Sequence, residues 1–311
     1  MKKFFIVAII FVVLLFVADR GIGLFFHHLD QSLVSYPIDY QTVYTHLAWE
    51  IDDDVVIIGN SRARHQYDAN RIQDSLNMTV VNAGKDGNQL LLQSSMIQNM
   101  LKRHTPKLII WEADPYGLMH SDDEIQRISD LNPFYDEDSL CRSLIQSRGW
   151  NERYKMLLYC YRNNGRLPGL LEVKFWGKQD NGLNGYVPVK SSGYKYPTLH
   201  IQNFSNSSEQ YREKLFAETI RKAKQQGCNV VIATTPQYKR TNLDKTIQYK
   251  RFAQICDLEG ILWLNYNQDA RFLCDSTYFR DVSHLNEKGV DKYMELFIPK
   301  LKEYIDETNV R

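Results

Sequence analysis

The sequence predicts an α/β protein with a mostly parallel five-stranded sheet, preceded by one N-terminal transmembrane helix. From residue 54 onward, short β-branched runs alternate with segments of helical periodicity. The strand runs are almost continuously apolar, which is typical of parallel strands covered by helices on both faces. Ahead of them, fifteen apolar residues follow Met1-Lys2-Lys3 without interruption, and this run is the candidate for the membrane helix.

Strands and helices alternate in a regular order along the chain. The five strands are expected at residues 54–58, 79–82, 107–111, 229–233 and 261–264. The helices are expected at residues 67–76, 89–103, 208–226, 244–258 and 286–304. Between the third and fourth strands, residues 115–207 break the pattern and predict an insertion over the sheet, because a connection this long usually carries structure or function of its own. Within it, short helices are expected near residues 125–130 and 153–161.

Composition excludes several classes of function. The chain has 311 residues, of which 38 are basic and 37 acidic, and 43% are apolar. A substantial core is therefore possible, and the balanced charge predicts no nucleic-acid partner. The five cysteines are scattered without a Cys-x-x-Cys pair, so neither a zinc site nor a disulfide framework is expected. We expect no metal and no organic cofactor.

Residues 1–26 are interpreted as an uncleaved signal anchor. The apolar run at 4–18 lies between the length of a signal-peptide core and that of a full span, and residues 21–26 (GIGLFF) extend it. The two N-terminal lysines favour a cytoplasmic N-terminus. A cleaved signal peptide is the alternative. We therefore expect a single-pass protein of the cytoplasmic membrane, with a juxtamembrane connector at 27–53 and an extracytoplasmic α/β domain at 54–311.

Polar residues follow the predicted strands where ligands of parallel α/β sheets bind, outside the carboxyl ends of the strands. Ser61 follows the first strand, and a glycine-rich turn that contains Gly87 follows the second. Asp281 and His284 lie just before the last helix. At its position Ser61 fits two roles, a nucleophile at a strand end or the cap of the next helix. Asp281 likewise fits either a catalytic role or a helix cap.

These residue types are those that serine chemistry requires. A serine nucleophile needs a base to accept its proton and a third group to orient that base. The Asp281-x-x-His284 spacing, in a turn that leads into a helix, allows the carboxylate to contact the imidazole Nδ1–H while Nε2 faces Ser61. The backbone N–H groups of Ser61 and Gly87 are candidates for binding a developing oxyanion.

Three blocks of the sequence together resemble the SGNH (GDSL-type) hydrolase family. They are Gly59-Asn60-Ser61, Asn82-x-Gly84-x-x-Gly87 and Asp281-x-x-His284, in the family's order and at the same strand ends. The resemblance covers about residues 54–114 and 208–304. It implies a flavodoxin-like three-layer α/β/α fold that cleaves or transfers acyl esters through a serine. It further implies that Ser61 is the nucleophile, Gly87 an oxyanion donor, His284 the base and Asp281 its orienting partner.

A fourth block departs from the family. Where many free esterases have Gly-x-Asn-Asp after the third strand, with an oxyanion-binding Asn, this chain reads Glu112-Ala113-Asp114-Pro115. An ionised carboxylate cannot donate a hydrogen bond to an oxyanion. Either Asn88, next to Gly87, replaces the missing donor, or hydrolysis is weak.

The departure and the anchor together resemble the membrane-tethered members of the family that modify cell-envelope polymers. The resemblance implies acyl esters, such as O-acetyl groups, of an extracytoplasmic glycan or envelope polymer as substrate. The alternative is a weak or inactive component that binds the polymer, or a membrane-embedded acyltransferase, in an acylation system. Arg62 and Arg64 are candidates for binding an anionic substrate, and a solvated helix face is the equal alternative for both.

Overall fold

The computed structural model describes residues 1–177, 183–190 and 199–308. Two parts of the predicted insertion, residues 178–182 and 191–198, lie outside the described residues, as do the last three residues of the chain.

A five-stranded parallel sheet forms the centre of the fold and confirms the predicted class. Its strands are β1 (Val55–Ile58), β2 (Val80–Asn82), β3 (Leu108–Glu112), β5 (Asn229–Thr234) and β7 (Leu262–Asn265). The strand order is β2-β1-β3-β5-β7, and every neighbouring pair is parallel. This is the order of a flavodoxin-like sheet. A second, two-stranded parallel sheet, not predicted from the sequence, pairs β4 (His200–Gln202) with β6 (Lys239–Thr241).

Alternate residues of the strands point into two separate cores. Val56 and Ile58 enter the core beneath one layer of helices, whereas Val55 and Ile57 enter the other. Each fully buried side chain of this size contributes about 1.5–3 kcal/mol. The helices of the domain, apart from the insertion, are α2 (Val43–Trp49), α3 (Ser61–Gln66), α4 (Ala69–Leu76), α5 (Leu90–Met100), α11 (Gln210–Gln225), α12 (Ile247–Glu259), α13 (Ala270–Leu273) and α14 (Glu287–Thr308).

The N-terminal segment forms one continuous helix, α1 (Lys2–Leu33), which is long and apolar enough to cross a membrane. It runs seven residues past the predicted boundary at residue 26. The reason is tertiary, since Phe26, Leu29 and Leu33 pack against Leu170 of the insertion. In contrast, nearly all side chains at 4–18 are exposed.

Residues 27–53 are more than a connector, because their second half is folded into the domain. Val43, Leu47 and Ile51 are buried in the core beneath α5. His27 and His28, at the start of this segment, are exposed.

The insertion consists mainly of short helices. They are α6 (Asp122–Arg127), α7 (Ser139–Ser147), α8 (Glu152–Lys155), α9 (Tyr159–Arg162) and α10 (Leu167–Trp176), with 3₁₀ turns at Pro115–Leu118 and Ile128–Phe134. The expected helices near 125–130 and 153–161 are thus each divided into two shorter elements. Helices α9 and α10 pack against α1, so the insertion joins the N-terminal helix to the α/β domain.

Candidate active site

Ser61 is the first residue of α3, and only Gly59 and Asn60 separate it from the end of β1. The preceding residue, Asn60, caps this helix, since its side-chain oxygen accepts a hydrogen bond from the Arg62 N–H at 2.9 Å. The turn is tight, because a Cβ on Gly59 would lie only 2.7 Å from the Cβ of Glu112. The helix-cap role that the sequence left open for Ser61 therefore falls to Asn60, and the hydroxyl of Ser61 makes a different contact.

That contact is with His284. The structure brings Ser61, His284 and Asp281 together, although more than two hundred residues separate the serine from the other two. Ser61 Oγ lies 2.7 Å from His284 Nε2. On the other side of the ring, His284 Nδ1 lies 2.9 Å and 3.0 Å from the two carboxylate oxygens of Asp281. The imidazole side chain is 25% exposed, so this chain of contacts is accessible from solvent.

Asp281 is held in place by its own turn. Its Oδ1 also accepts hydrogen bonds from the N–H groups of Ser283 at 2.8 Å and His284 at 3.0 Å. Burial by itself raises the pKa of Asp281, but these bonds and that from the His284 ring outweigh it and lower the pKa below its usual range. The final helix, α14, begins at Glu287. The side-chain oxygen of Asn286 accepts a hydrogen bond from the Gly289 N–H in the first turn of that helix. Asp281 is therefore not the cap of that helix.

The glycine-rich turn after β2 lies against the start of α3. A Cβ on Gly84 would lie 2.3 Å from the Arg64 backbone nitrogen, so only glycine permits this approach. Gly87 has a φ of +72°, in the left-handed region. Within the described ranges, the N–H groups of Ser61 and Gly87 donate no hydrogen bond. Both are therefore available to an acceptor from outside the chain.

Asn88, the expected replacement for the missing oxyanion donor, is turned into the protein interior. Its side-chain oxygen accepts a hydrogen bond from the Tyr44 hydroxyl at 2.9 Å, and its amide nitrogen donates to the Gly59 carbonyl at 3.4 Å. These contacts tie the glycine-rich turn to both β1 and α2. A structural role for the Asn88 side chain follows directly from them.

Arg62 does not lie on a solvated surface, and this corrects its expected place among the substrate-binding residues. Its side chain is 3% exposed and forms ion pairs with Glu112 at 3.2 Å and with Asp114. A guanidinium with two buried carboxylate partners cannot reach a substrate in solution. Arg64 is closer to the expectation, since it is partly exposed, but it too is paired, with Asp86 at 3.1 Å.

The same contacts explain the unusual Glu-Ala-Asp block after β3. Glu112 is fully buried and accepts hydrogen bonds from the Tyr67 hydroxyl at 2.6 Å and the Thr235 hydroxyl at 3.1 Å. Burial raises its pKa to about 7, although the charge of Arg62 opposes that rise. The block thus builds an ionic network beneath Ser61. The sequence shows an arginine directly after the serine and two carboxylates at the end of β3. It does not show that these side chains form ion pairs with one another.

Arg127 also lies at the site, although sequence reasoning did not predict it there. Its guanidinium lies directly over Gly87, since a Cβ on that glycine would be 2.5 Å from the guanidinium carbon. Arg127 is exposed, and it forms no ion pair with the described part of the chain. It belongs to the insertion, far from the family blocks, so nothing in the sequence placed it here.

A polar cavity of about 470 Å³ adjoins the glycine-rich turn and is lined by Lys85 of that turn. Residues from α2, the preceding segment and the insertion complete its wall, including Tyr40, Tyr44, Asn132, Arg148 and Arg166. Two polar atoms in this wall are buried without a hydrogen bond in the described residues, the side-chain oxygen of Asn132 and Nη1 of Arg148, and the latter lies 3.9 Å from a carboxylate oxygen of Glu152.

Within the described ranges, no cluster of three or more His, Cys, Asp or Glu side chains could hold a metal ion.

No protein-family model matches the chain, and no curated protein sequence matches it. Among solved structures, it is similar to a candidate acylhydrolase from Bacteroides fragilis, at 12% identity and a TM-score of 0.44, over 88% of this chain and 100% of that one. It is also similar to the acetyl xylan esterase AlAXEase, at 14% identity and a TM-score of 0.39, over 78% of this chain and 99% of that one. At these values the likeness identifies no function for this chain.

Proposed function

We propose that this protein is a membrane-anchored serine esterase or acyltransferase that acts outside the cytoplasmic membrane. The observation that carries the proposal is the chain of contacts from Ser61 through His284 to Asp281, with distances of 2.7 and 2.9 Å. This is the arrangement in which a serine hydroxyl, a general base and an orienting carboxylate act as a unit. The resemblance of the sequence blocks to SGNH hydrolases supports the same assignment.

The proposed reaction proceeds in two steps. His284 Nε2 accepts the proton of Ser61 as Oγ attacks the ester carbonyl, and the N–H groups of Ser61 and Gly87 bind the resulting oxyanion. The carbonyl re-forms, the alkoxide leaves with the proton from His284, and the acyl group remains on Ser61. Water or a glycan hydroxyl then gives its proton to His284 as it attacks the acyl carbonyl, and His284 passes that proton to Ser61 Oγ as the acyl–serine bond breaks. Asp281 keeps the imidazole oriented throughout.

The acceptor in the second step is proposed to be a hydroxyl as well as water. Glu112 and Asp114 are both engaged by Arg62, so neither replaces the missing Asn, whose loss can cost about 10²–10³ in rate. The guanidinium of Arg127 over Gly87 is placed to offset part of this loss by its charge.

Covalent labelling tests the nucleophile. A fluorophosphonate probe is expected to label the wild-type chain and not Ser61→Ala, because the probe reacts only with an activated serine hydroxyl. Ser283→Ala, a matched serine variant beside His284, is expected to label like wild type. The readout is probe fluorescence on the intact protein. A folded wild-type chain that stays unlabelled, or a labelled Ser61→Ala, would contradict the proposal.

The substrate is proposed to be an acylated glycan or another hydroxyl-rich envelope polymer. The polar cavity next to the glycine-rich turn supports this class. Its wall contains hydrogen-bonding side chains, among them Lys85, Asn132 and Arg148, and such groups can bind the hydroxyl groups of a sugar. The cavity volume of about 470 Å³ lies within the usual range for ligand pockets.

Replacing Arg148 tests this substrate class. In Arg148→Ala, the ratio of deacetylation rates on O-acetylated dextran and on p-nitrophenyl acetate is expected to fall about tenfold or more, the effect of losing one charged hydrogen bond. Both rates are measured as released acetate. Arg153→Ala, an exposed arginine that does not line the cavity, is the matched control and should leave the ratio unchanged. An equal ratio in both variants would argue against a polymer site in this cavity.

A second candidate function is a binding or assembly component of an envelope acylation system, with a membrane-embedded acyltransferase as partner. The observation in its favour is the Glu112-Arg62-Asp114 network, which occupies the place of an amide donor. The contact between Ser61 and His284 counts against it, because a binding protein has no need of that geometry. The labelling experiment separates the two functions.

A further inference from the structure

Four apolar and aromatic side chains of the insertion are exposed side by side. They are Trp150, Tyr154, Leu157 and Leu158, here called the insertion patch. The rings of Trp150 and Tyr154 are in edge-to-face contact at 6.3 Å, and the Leu157 N–H donates to the Tyr154 carbonyl at 3.1 Å. Within the described residues, nothing covers these side chains. A cluster of this kind on a soluble surface marks an interaction site.

The insertion patch is fastened to α1 at one level. Asp19 accepts hydrogen bonds from the N–H groups of Tyr159 at 3.0 Å and Cys160 at 2.9 Å. Arg20, the next residue, donates to the Leu157 carbonyl. Gly23, one turn further on, leaves room for the Tyr159 ring, where a Cβ would be 2.6 Å away. Leu157 and Leu158 therefore lie where the exposed apolar run of α1 ends.

The length of the exposed apolar run at residues 4–18 indicates how much of α1 lies within the bilayer. Residues 4–18 span only about 21 Å along a helix axis, whereas the hydrocarbon core of a bilayer is about 30 Å thick. Beyond Arg20, the side chains of Ile22, Leu24 and Phe25 are exposed. If these residues complete the span, it reaches about 30 Å. The outer boundary of the hydrocarbon core then lies at Phe25, within about 9 Å along the helix of Asp19, where the insertion patch is attached.

We propose that the insertion patch sits in the headgroup–acyl boundary of the bilayer that α1 crosses; this rests on the membrane anchoring in the proposed function. Trp and Tyr are enriched at this boundary, where an apolar ring can be buried while its polar group stays wet. Leu157 and Leu158 enter the outermost part of the acyl region. Arg153, in the same helix as Tyr154, faces the headgroups, which favours anionic phospholipids.

A seated patch fixes the catalytic domain relative to the membrane. From Ala18 to Leu33, α1 rises about 22 Å above the level of the patch. Beyond it, Tyr40 accepts a hydrogen bond from Lys85 of the glycine-rich turn at 2.8 Å. Two attachments, the helix and the patch, prevent rotation about the helix axis, which a single anchor allows. The site is thereby held at a constant height over the membrane, suited to a polymer that extends from it.

The test compares two exposed tryptophans of the full-length chain in vesicles of phosphatidylcholine and phosphatidylglycerol in equal parts. Trp150 is 82% exposed and lies in the patch, whereas Trp176 is 76% exposed and ends α10. Helix α10 starts beside Asp30, to which Arg166 is paired at 2.7 Å. Gly177, which follows Trp176, lines a cavity with Val34 and Tyr36 beyond the last residue of α1, so Trp176 lies away from the bilayer end of that helix. Lipids with brominated acyl chains quench tryptophans that touch them.

We expect Trp150→Phe to remove most of the emission that brominated lipid quenches, and Trp176→Phe to leave that quenchable emission unchanged. The double variant Leu157→Glu/Leu158→Glu should also lose the quenching of Trp150, whereas Leu258→Glu, at a still more exposed site on α12, should retain it. If the chain floats with the vesicles but Trp150 is quenched by aqueous iodide and not by brominated lipid, the proposed position of the insertion patch is wrong, while the membrane anchoring through α1 still holds. A chain that does not float would overturn the anchoring as well. Ester hydrolysis, measured separately, reports on neither.

Discussion

His284→Ala is expected to lower kcat/KM for hydrolysis of p-nitrophenyl acetate by about 10⁴-fold or more. The reason is that the imidazole accepts the Ser61 proton and returns it to the leaving group, and both transfers stop without it. Asp281→Asn is expected to cost less, because the base remains and only its orientation and charge stabilisation are lost. The measurement is release of nitrophenolate by the full-length protein in detergent.

His120→Ala is the matched control. His120 also lies between two carboxylates, Asp122 at 3.0 Å and Glu209 at 3.1 Å, but its described contacts include no serine. This variant should keep nearly all activity. The double variant Ser61→Ala/His284→Ala gives a further check, because members of one catalytic unit are not additive. It should be no slower than either single variant, and multiplication of the two losses would mean that the residues act separately.

The central sheet was predictable because each strand is a short, mostly apolar run between polar turns. Its parallel arrangement followed from the alternation with helices, and the strand ends then placed Ser61, Gly87 and His284 at one edge. The contact between Ser61 and His284 is observed in the structure, whereas its role in catalysis is the proposal made above. What the sequence could anticipate was the set of residue types, not the distances.

Apart from the helix cap, which is a local feature, the features that sequence reasoning missed depend on non-local contacts. The choice of Asn60 over Ser61 as helix cap is decided by the backbone at the turn, since both residue types cap well. From the sequence, Arg62 is expected to be a solvated basic residue. Its burial becomes evident only when the fold places the carboxylates at the end of β3 beside α3. The extension of α1 to Leu33 requires the insertion as a partner, and insertions with irregular patterns give the weakest signals of all.

Arg62→Met is expected to lower the free energy of unfolding by about 3–5 kcal/mol. The substitution leaves Glu112 and Asp114 buried without their cation, and removing one partner of a buried ion pair costs about this much. Arg64→Met is the matched control, two residues away in the same helix. Its ion pair with Asp86 is partly exposed, so it should cost no more than about 1 kcal/mol. Denaturant unfolding of the full-length chain in detergent measures both.

The pH dependence of the Arg62→Met deficit separates a lost ion pair from lost packing. Burial already raises the pKa of Glu112 to about 7 in the folded protein, against an ordinary value of 4.5, while Arg62 opposes the rise. Without Arg62 that pKa rises further, so Glu112 binds a proton on folding over a wider range. When the pKa of a carboxyl group is higher in the folded than in the unfolded protein, the free energy of unfolding falls as the pH rises between the two pKa values. The deficit should therefore be larger at about pH 8 than at about pH 5.5. A deficit equal at both pH values would mean that Arg62 acts through packing alone, and the ionic network beneath Ser61 would lose its assigned role.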